Sequence, residues 1–118
     1  MNMEIIGNFQ YGLPSIRIRL EKTEQQAVID TGFNGELALP HKTIQSLGLQ
    51  SIGYSDYLSA DGETIKTESF AGTVLWFGET IEVTVTAIKA EVTLIGISLL
   101  FEHELTVKGS ENKVIIRQ

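Results

Sequence analysis

The chain has 118 residues and a mass of 13.0 kDa, the size of one domain with one hydrophobic core. A net charge of −6 and a pI near 4.8 argue against unassisted binding to nucleic-acid phosphates or anionic lipids. With no Cys and only two His, the chain cannot build a thiolate zinc site, a disulfide framework or a Cys–His catalytic pair. We therefore expect a single domain, residues 1–118, that binds no metal or other cofactor, no nucleic acid and no membrane.

The N-terminal sequence has neither a basic leader nor a long apolar run, and no stretch approaches the ~20 apolar residues of a membrane helix. We therefore expect a cytoplasmic protein. The chain is rich in Ile, Thr and Val, which fit the pleated surface of a sheet better than a helix. This composition predicts an all-β fold.

Residues 15–20 alternate apolar and polar side chains, the pattern of a half-buried strand. Polar residues 21–25 predict a turn, and residues 27–29 form a short apolar strand that leads into Asp30. Pro40 suits the first residue of a helix that contains Ile44 and Leu47, and Gly48 suits its left-handed end.

Turn residues divide the rest of the chain into hairpins and one further strand. The predicted hairpins pair residues 54–60 with 64–70 across Asp61-Gly62, 73–77 with 81–88 across Gly78-Glu79, and 105–107 with 114–116 across 109–112. Between the last two, the strand 92–95 ends at Gly96, and Ser98 is a candidate cap for a short helix through Glu102.

The most informative motif is Asp30-Thr31-Gly32, because a carboxylate at the end of a buried strand is costly unless something satisfies or uses it. One interpretation is a catalytic carboxylate. The other is an ordinary turn, in which Asp30 caps its own backbone and Gly32 takes a positive φ. The tripeptide alone leaves both open.

The order of motifs along the chain resembles the retropepsin-like aspartic proteases. The pattern is residues 27–35, AVIDTGFNG, then a hairpin around Asp61-Gly62, then residues 94–100, LIGISLL, before a short helix. The resemblance covers nearly the whole chain. It implies a closed acid-protease barrel with one or two short helices, acting as a symmetric homodimer.

The resemblance also implies the site residues. Asp30, Thr31 and Gly32 match the catalytic motif, in which one Asp from each subunit activates a water that hydrolyses a peptide bond. Substrate-binding positions are matched by Asn34, Gly35, Ala60, Asp61, Gly62 and Leu94. The hairpin matches the flap that covers a bound extended peptide; an ordinary exposed hairpin, and core packing for Leu94, are the simpler alternatives.

Two features differ from the retroviral pattern. The Arg and Asp that form an ion pair beside the active site in retroviral enzymes are replaced here by Ile97 and Asn34. The C-terminal hairpin is longer than theirs. We therefore expect a homodimer with an altered interface.

The predicted function is that of an aspartic endopeptidase acting on extended peptide or protein substrates. The alternative is a dimeric peptide-binding or assembly module that keeps the fold without turnover. The net charge, with Glu36 just after the motif, leads us to expect a site that tolerates basic substrate side chains better than acidic ones.

Overall fold

The computed structural model describes residues 3–59 and 61–118. Strands dominate, which confirms the mostly-β prediction. The strands are β1 Glu4–Gln10, β2 Leu13–Leu20, β3 Thr23–Ile29, β4 Leu37–Pro40, β5 Gln50–Leu58, β6 Thr64–Trp76, β7 Glu79–Ile88, β8 Thr93–Ile95, β9 Glu104–Lys108 and β10 Lys113–Arg117.

The helices are short. They are α1 His41–Leu47, α2 Ile97–Leu100 and a single 3-10 turn, Gly109–Glu111. The predicted helix after Pro40 is confirmed, with Pro40 as the residue before its first turn and Gly48 as its left-handed end, at φ 67°. Among the described residues, none of these helices has the length and apolar character needed to cross a membrane.

All ten strands belong to one strongly curved sheet in the order β5-β6-β7-β4-β8-β3-β2-β1-β10-β9. β6 also reaches β2 through two residue pairs, Arg19 with Leu75 and Leu20 with Val74. This contact joins the central strands into a barrel that is only partly closed, whereas the sequence predicted a fully closed one. The core fills its interior with fully buried aliphatic side chains, among them Ile16, Leu37 and Ile95.

The two strand-to-glycine segments of the sequence lie next to each other. β3 and β8 pair in parallel, with Val28 opposite Leu94 and Ile29 opposite Ile95. Both strands therefore end at the same edge of the sheet, one at Asp30 and the other at Gly96. β4 flanks β8 on its other side, which buries all three strands at the centre of the sheet.

Several local predictions were wrong. The predicted turn 21–25 is confined to Glu21 and Lys22, and β3 begins at Thr23, because cross-strand pairing to β2 outweighs the polar character of the segment. The second hairpin turns at Phe77-Gly78, one residue earlier than predicted, with both residues at positive φ. Ser98 does not cap α2, because Gly96 occupies the cap position.

Candidate active site

Asp30 follows the last residue of β3 and is half-buried at the edge of the sheet. Its backbone N–H donates to the Ile95 carbonyl at 2.9 Å, which continues the parallel pairing with β8 by one bond. One carboxylate oxygen, Oδ1, accepts the Gly32 N–H at 3.0 Å, and the Asp30 carbonyl accepts the Phe33 N–H at 3.1 Å. Two hydrogen bonds thus fix the backbone of Asp30, and one more connects its carboxylate to the loop.

The turn interpretation is half confirmed: Asp30 caps its own backbone by accepting the Gly32 N–H, but Gly32 does not take a positive φ. A Cβ on Gly32 would lie 3.3 Å from the Asp30 Oδ1, so a side chain there would require the carboxylate to shift by a few tenths of an ångström. Thr31 and Gly32 are both exposed. Within residues 3–59 and 61–118 the Thr31 hydroxyl has no hydrogen-bond partner.

The loop after Asp30 is fastened to the start of α2. The Ile97 N–H donates to the Phe33 carbonyl at 2.9 Å, and the Ser98 N–H donates to the Gly35 carbonyl at 3.2 Å. The Ser98 hydroxyl donates to the Asn34 carbonyl at 2.7 Å. These bonds, made by backbone groups and one hydroxyl, join the loop after Asp30 to the start of α2.

Two glycines allow this close approach. A Cβ on Gly96 would lie 2.1 Å from the Gly35 carbonyl oxygen and 2.6 Å from the Phe33 ring. A Cβ on Gly35 would lie 2.5 Å from the same ring. Side chains at either position would push the loop away from α2, so the sequence places glycine at both. We call the contact among Phe33, Gly35 and Gly96 the clamp.

Phe33 connects the clamp to the rest of the cleft. Its side chain is buried, with 4% of its surface exposed, and packs in a small cluster with Ala38 and Ile88. Its ring meets the Tyr57 ring edge to face, with centroids 6.0 Å apart and an interplanar angle of 87°. Tyr57 belongs to β5, so this contact links the loop that carries Asp30 to the hairpin above it.

That hairpin consists of β5 and the first half of β6, with Asp61 and Gly62 at its tip, and we call it the flap. At the tip, the Ser59 N–H donates to the Glu63 carbonyl at 2.8 Å and the Gly62 N–H donates to the Ser59 carbonyl at 3.0 Å. Gly62 has a φ of 87°. The Ser59 hydroxyl and the Glu63 N–H both donate to the Asp61 carboxylate, and these bonds lower the pKa of Asp61 below its ordinary value.

A cavity of 660 Å³ lies between Asp30 and the flap, and we call it the cleft. Its apolar wall includes Phe33, Ile88 and Leu94. The flap contributes Tyr57, Leu58 and Ile65, and the last two keep 49% and 39% of their surface exposed. Apolar side chains that are exposed toward a cavity are typical of a site that covers a ligand.

A second cavity of 290 Å³ lies on the other side of Tyr57 and is lined by Asn34, Gly35 and Glu36. The Glu36 carboxylate accepts the Thr84 N–H at 2.7 Å, so it is engaged by the backbone of β7. Glu36 does not line the cleft. The expectation that Glu36 favours basic substrate side chains beside Asp30 is therefore not supported by the geometry.

The predicted site residues are distributed over three places. Asp30, Gly32 and Leu94 line the cleft, and Leu94 also packs against the Phe33 cluster. Asn34 and Gly35 line the second cavity. Asp61 and Gly62 form the exposed flap tip, outside the lining of the cleft in one chain, and Ala60 lies outside the described residues.

Several cleft residues were not predicted from the sequence. Tyr57 and Ile65 lie opposite each other in the flap ladder, and Ala87 and Ile88 lie at the end of β7. The lining also includes the basic residues His41, Lys66 and Lys89. A period-two reading of the flap strands could have identified Tyr57 and Ile65 as one face. The others come together only through the tertiary fold. Within residues 3–59 and 61–118, no group of three or more His, Asp or Glu side chains is arranged to hold a metal ion.

Comparisons with known proteins identify the architecture. No protein-family model matches the chain, and no curated protein matches it. Solved structures do match. A retropepsin-like aspartic protease from Rickettsia conorii superimposes with a TM-score of 0.70 at 21% identity, over 99% of this chain and 92% of that one.

Two viral proteases are also similar. The EIAV protease, solved with an inhibitor, has a TM-score of 0.64 at 18% identity, over 76% of this chain and 86% of the other. The simian foamy virus protease has a TM-score of 0.54 at 16% identity, over 73% and 90% of the two chains. The chain therefore has the fold of the retropepsin-like aspartic proteases, as its motif order predicted.

Proposed function

We propose that the protein is an aspartic endopeptidase whose active site forms from the Asp30 carboxylates of two identical chains. The observation that carries this proposal is the arrangement around Asp30. In a fold shared with retropepsin-like proteases, the carboxylate accepts the Gly32 N–H and its residue is fixed by two backbone hydrogen bonds, at the edge of an apolar cleft and beneath a hairpin flap. Catalysis requires such fixed orientation of the reacting groups.

A second chain is needed because the chemistry uses two carboxylates and each chain has one Asp-Thr-Gly motif. The exposed surfaces of Thr31 and Gly32 suit contact with the same loop of a partner. The proposed two-fold axis passes beside this loop, where residues meet their own copies, and it brings the Thr31 and Asp30 side chains of the two chains together. This geometry supports a symmetric homodimer with one shared active site.

The proposed reaction begins with one proton shared by the two carboxyl groups, because two carboxyl groups at short range cannot both carry a negative charge. Aspartic proteases are the standard example of this effect. The ionised carboxylate removes a proton from a water held between the two groups. The water oxygen attacks the scissile carbonyl carbon, and the neutral carboxyl group donates its proton to the carbonyl oxygen. The carboxyl group that took the water's proton then gives it to the amide nitrogen, while the other carboxylate takes the proton of one hydroxyl of the tetrahedral intermediate. The C–N bond breaks, an acid and an amine leave, and the two carboxyl groups again share one proton.

The flap and the cleft contribute by excluding water and by holding the peptide. The flap strands contribute backbone groups and the side chains of Tyr57 and Ile65, which share one face of the hairpin, to the lining of the cleft, which suits an extended peptide. The absent ion pair does not weaken this proposal, because α2 holds the Asp30 loop through Ile97 and Ser98.

The test is to incubate the protein with a mixed peptide library over a range of pH, with and without pepstatin, and to identify products by mass spectrometry. We expect cleavage that pepstatin suppresses. Asp30→Asn should abolish cleavage without unfolding the protein, and Glu111→Gln, an exposed change in the β9–β10 turn, serves as the matched control. Peptide binding without cleavage at any pH would favour the binding module, and normal cleavage by Asp30→Asn would refute the role of Asp30.

A further inference from the structure

The charge of the cleft is opposite to that of the whole chain. The chain carries a net charge of −6. Among the described residues that line the cleft, the titratable side chains besides Tyr57 are Lys66, Lys89, His41 and Asp30. The lining therefore combines two lysines and a histidine with one carboxylate, and that carboxylate is the one used in catalysis.

The two lysines come from different elements and converge on the same cavity. Lys66 lies on β6 within the flap, and Lys89 follows the last residue of β7. Both side chains are exposed. The ion pairs formed within the described part of the chain are Arg17–Glu24, Arg117–Glu4 and Arg117–Glu104, so neither lysine is neutralised by a close carboxylate there.

Two acidic residues of the flap lie near these lysines. Asp56 is opposite Lys66 in the flap ladder and on the same face of the hairpin, but within the described residues the two side chains form no ion pair, and Asp56 lines the second cavity together with Glu36. The Asp61 carboxylate is engaged at the flap tip by Ser59 and Glu63. Neither Asp56 nor Asp61 lines the cleft, so Asp30 is the one carboxylate among the described residues of its lining, whereas Asp56 and Glu36 line the second cavity.

From this arrangement we infer that the cleft selects peptides that place an acidic side chain beside the scissile bond. The inference rests on the proposed endopeptidase function and names its substrate class. A Glu side chain would lay its methylene groups against Ile88 and Leu94 and direct its carboxylate to the lysines at the rim. Closure of the flap would remove water from these charges and strengthen their interaction.

The first test compares cleavage of three peptides that differ at one position next to the scissile bond, with Glu, Gln or Lys. We expect kcat/KM to fall in the order Glu, Gln, Lys. Each cleft lysine that reaches the peptide's Glu carboxylate should raise kcat/KM for the Glu peptide about threefold over that for the Gln peptide. Lys66→Gln and Lys89→Gln should each reduce the ratio of Glu to Gln cleavage by about that factor. Lys22→Gln, an exposed change in the turn between β2 and β3, should leave the ratio unchanged.

Salt dependence distinguishes charge from shape. Because the Debye length falls from about 10 Å at 0.1 M to about 3 Å at 1 M salt, the preference for Glu should shrink as salt is added. Equal or faster cleavage of the Lys peptide at low salt would overturn the inference and leave the endopeptidase proposal intact.

A binding measurement keeps the two proposals distinguishable if no cleavage occurs. Three fluorescein-labelled octapeptides of one apolar sequence carry Glu, Gln or Lys at two positions, and their binding to Asp30→Asn is followed by fluorescence anisotropy at low salt. We expect the Glu peptide to bind tightest and the preference to weaken in Lys66→Gln. Absence of cleavage by the wild type would refute only the proposed endopeptidase function. Failure of all three peptides to bind, or tighter binding of the Lys peptide, would refute the proposed preference for acidic side chains.

Discussion

The loop from Asp30 to Glu36 forms the floor of the cleft and the flap forms its roof, and the two differ in how they are held. The floor, from Asp30 to Glu36, is held from three sides by β8, β4 and α2, and its glycines bring backbone atoms into direct contact. The roof is a hairpin whose outer strand, β5, lies at the edge of the sheet with mostly exposed or half-buried side chains. A fixed floor suits the catalytic role proposed for Asp30, and a lightly held roof suits the role proposed for the flap, a cover that opens for a peptide.

The strongest way to break the floor is Gly96→Ala. The backbone of Gly96, at φ −95° and ψ 172°, accepts any residue, so the cost comes from the clash of the new Cβ with the Gly35 carbonyl group and the Phe33 ring. We expect a loss of about 3 kcal/mol in the free energy of unfolding, measured by urea titration, together with a loss of peptide cleavage. Gly109→Ala is the matched control, since nothing lies within 4 Å of its Cβ position. Equal free energies of unfolding for the two variants would contradict the claim that close packing at the clamp requires glycine at position 96.

The contact between floor and roof should have a smaller effect. Phe33 and Tyr57 form an edge-to-face pair, which stabilises by about 1 kcal/mol beyond burial alone. We expect a double-mutant cycle with Phe33→Leu and Tyr57→Leu to give a coupling free energy of about that size. Urea unfolding gives the four stabilities. Additive effects of the two substitutions would show that the floor and the roof are energetically independent.

The smallest expected effect lies at the roof's tip. The pKa of the Asp61 carboxyl group is lowered by the hydrogen bond from Ser59 and then by that from Glu63, so its charged form stabilises the turn. A carboxyl with a lowered pKa contributes stability above its ordinary pKa and loses it as the pH falls through the lowered value. The turn should therefore keep its order from pH 7 down to about 4 and loosen only below that.

Hydrogen exchange of the Glu63 amide measures this directly. At pH 7 we expect Asp61→Ala to speed exchange at Glu63 without changing exchange in the floor, for example at Phe33. Asp56→Ala, an exposed carboxylate on β5 outside the turn, is the control. Unchanged exchange at Glu63 in Asp61→Ala would show that the carboxylate does not order the turn.

The floor was far easier to predict from the sequence than the contacts that the flap makes. Apolar strands, Asp-Thr-Gly and the glycines at 35 and 96 are local signals. They correctly indicated that β3 leads into Asp30 and that a short helix follows Gly96, but α2 ends at Leu100 and not at Glu102. The roof's existence followed from Asp61-Gly62. The contact of the flap with the floor, between Tyr57 and Phe33, joins residues 24 positions apart, and no local sequence pattern encodes it.

The charge of the cleft shows the same limit. The net charge of −6 describes the whole surface, and it led to an expectation of basic substrates. Lys66, Lys89 and His41 come from three separate elements and line one cavity only because β6, β7 and α1 meet beside Asp30. Net charge predicts solubility and long-range attraction, whereas specificity depends on which charges the fold brings together.

The central claim, that two Asp30 carboxylates from two chains form one active site, is tested most directly by mixing subunits. Wild-type and Asp30→Asn chains are unfolded together, refolded at a constant total concentration in varied ratios, and assayed on one cleaved peptide. Random pairing in a two-fold dimer should make activity follow the square of the wild-type fraction, so an equal mixture retains about a quarter of the full activity. Activity that falls linearly, to about half in the equal mixture, would mean that one chain carries a complete site and would contradict the claim.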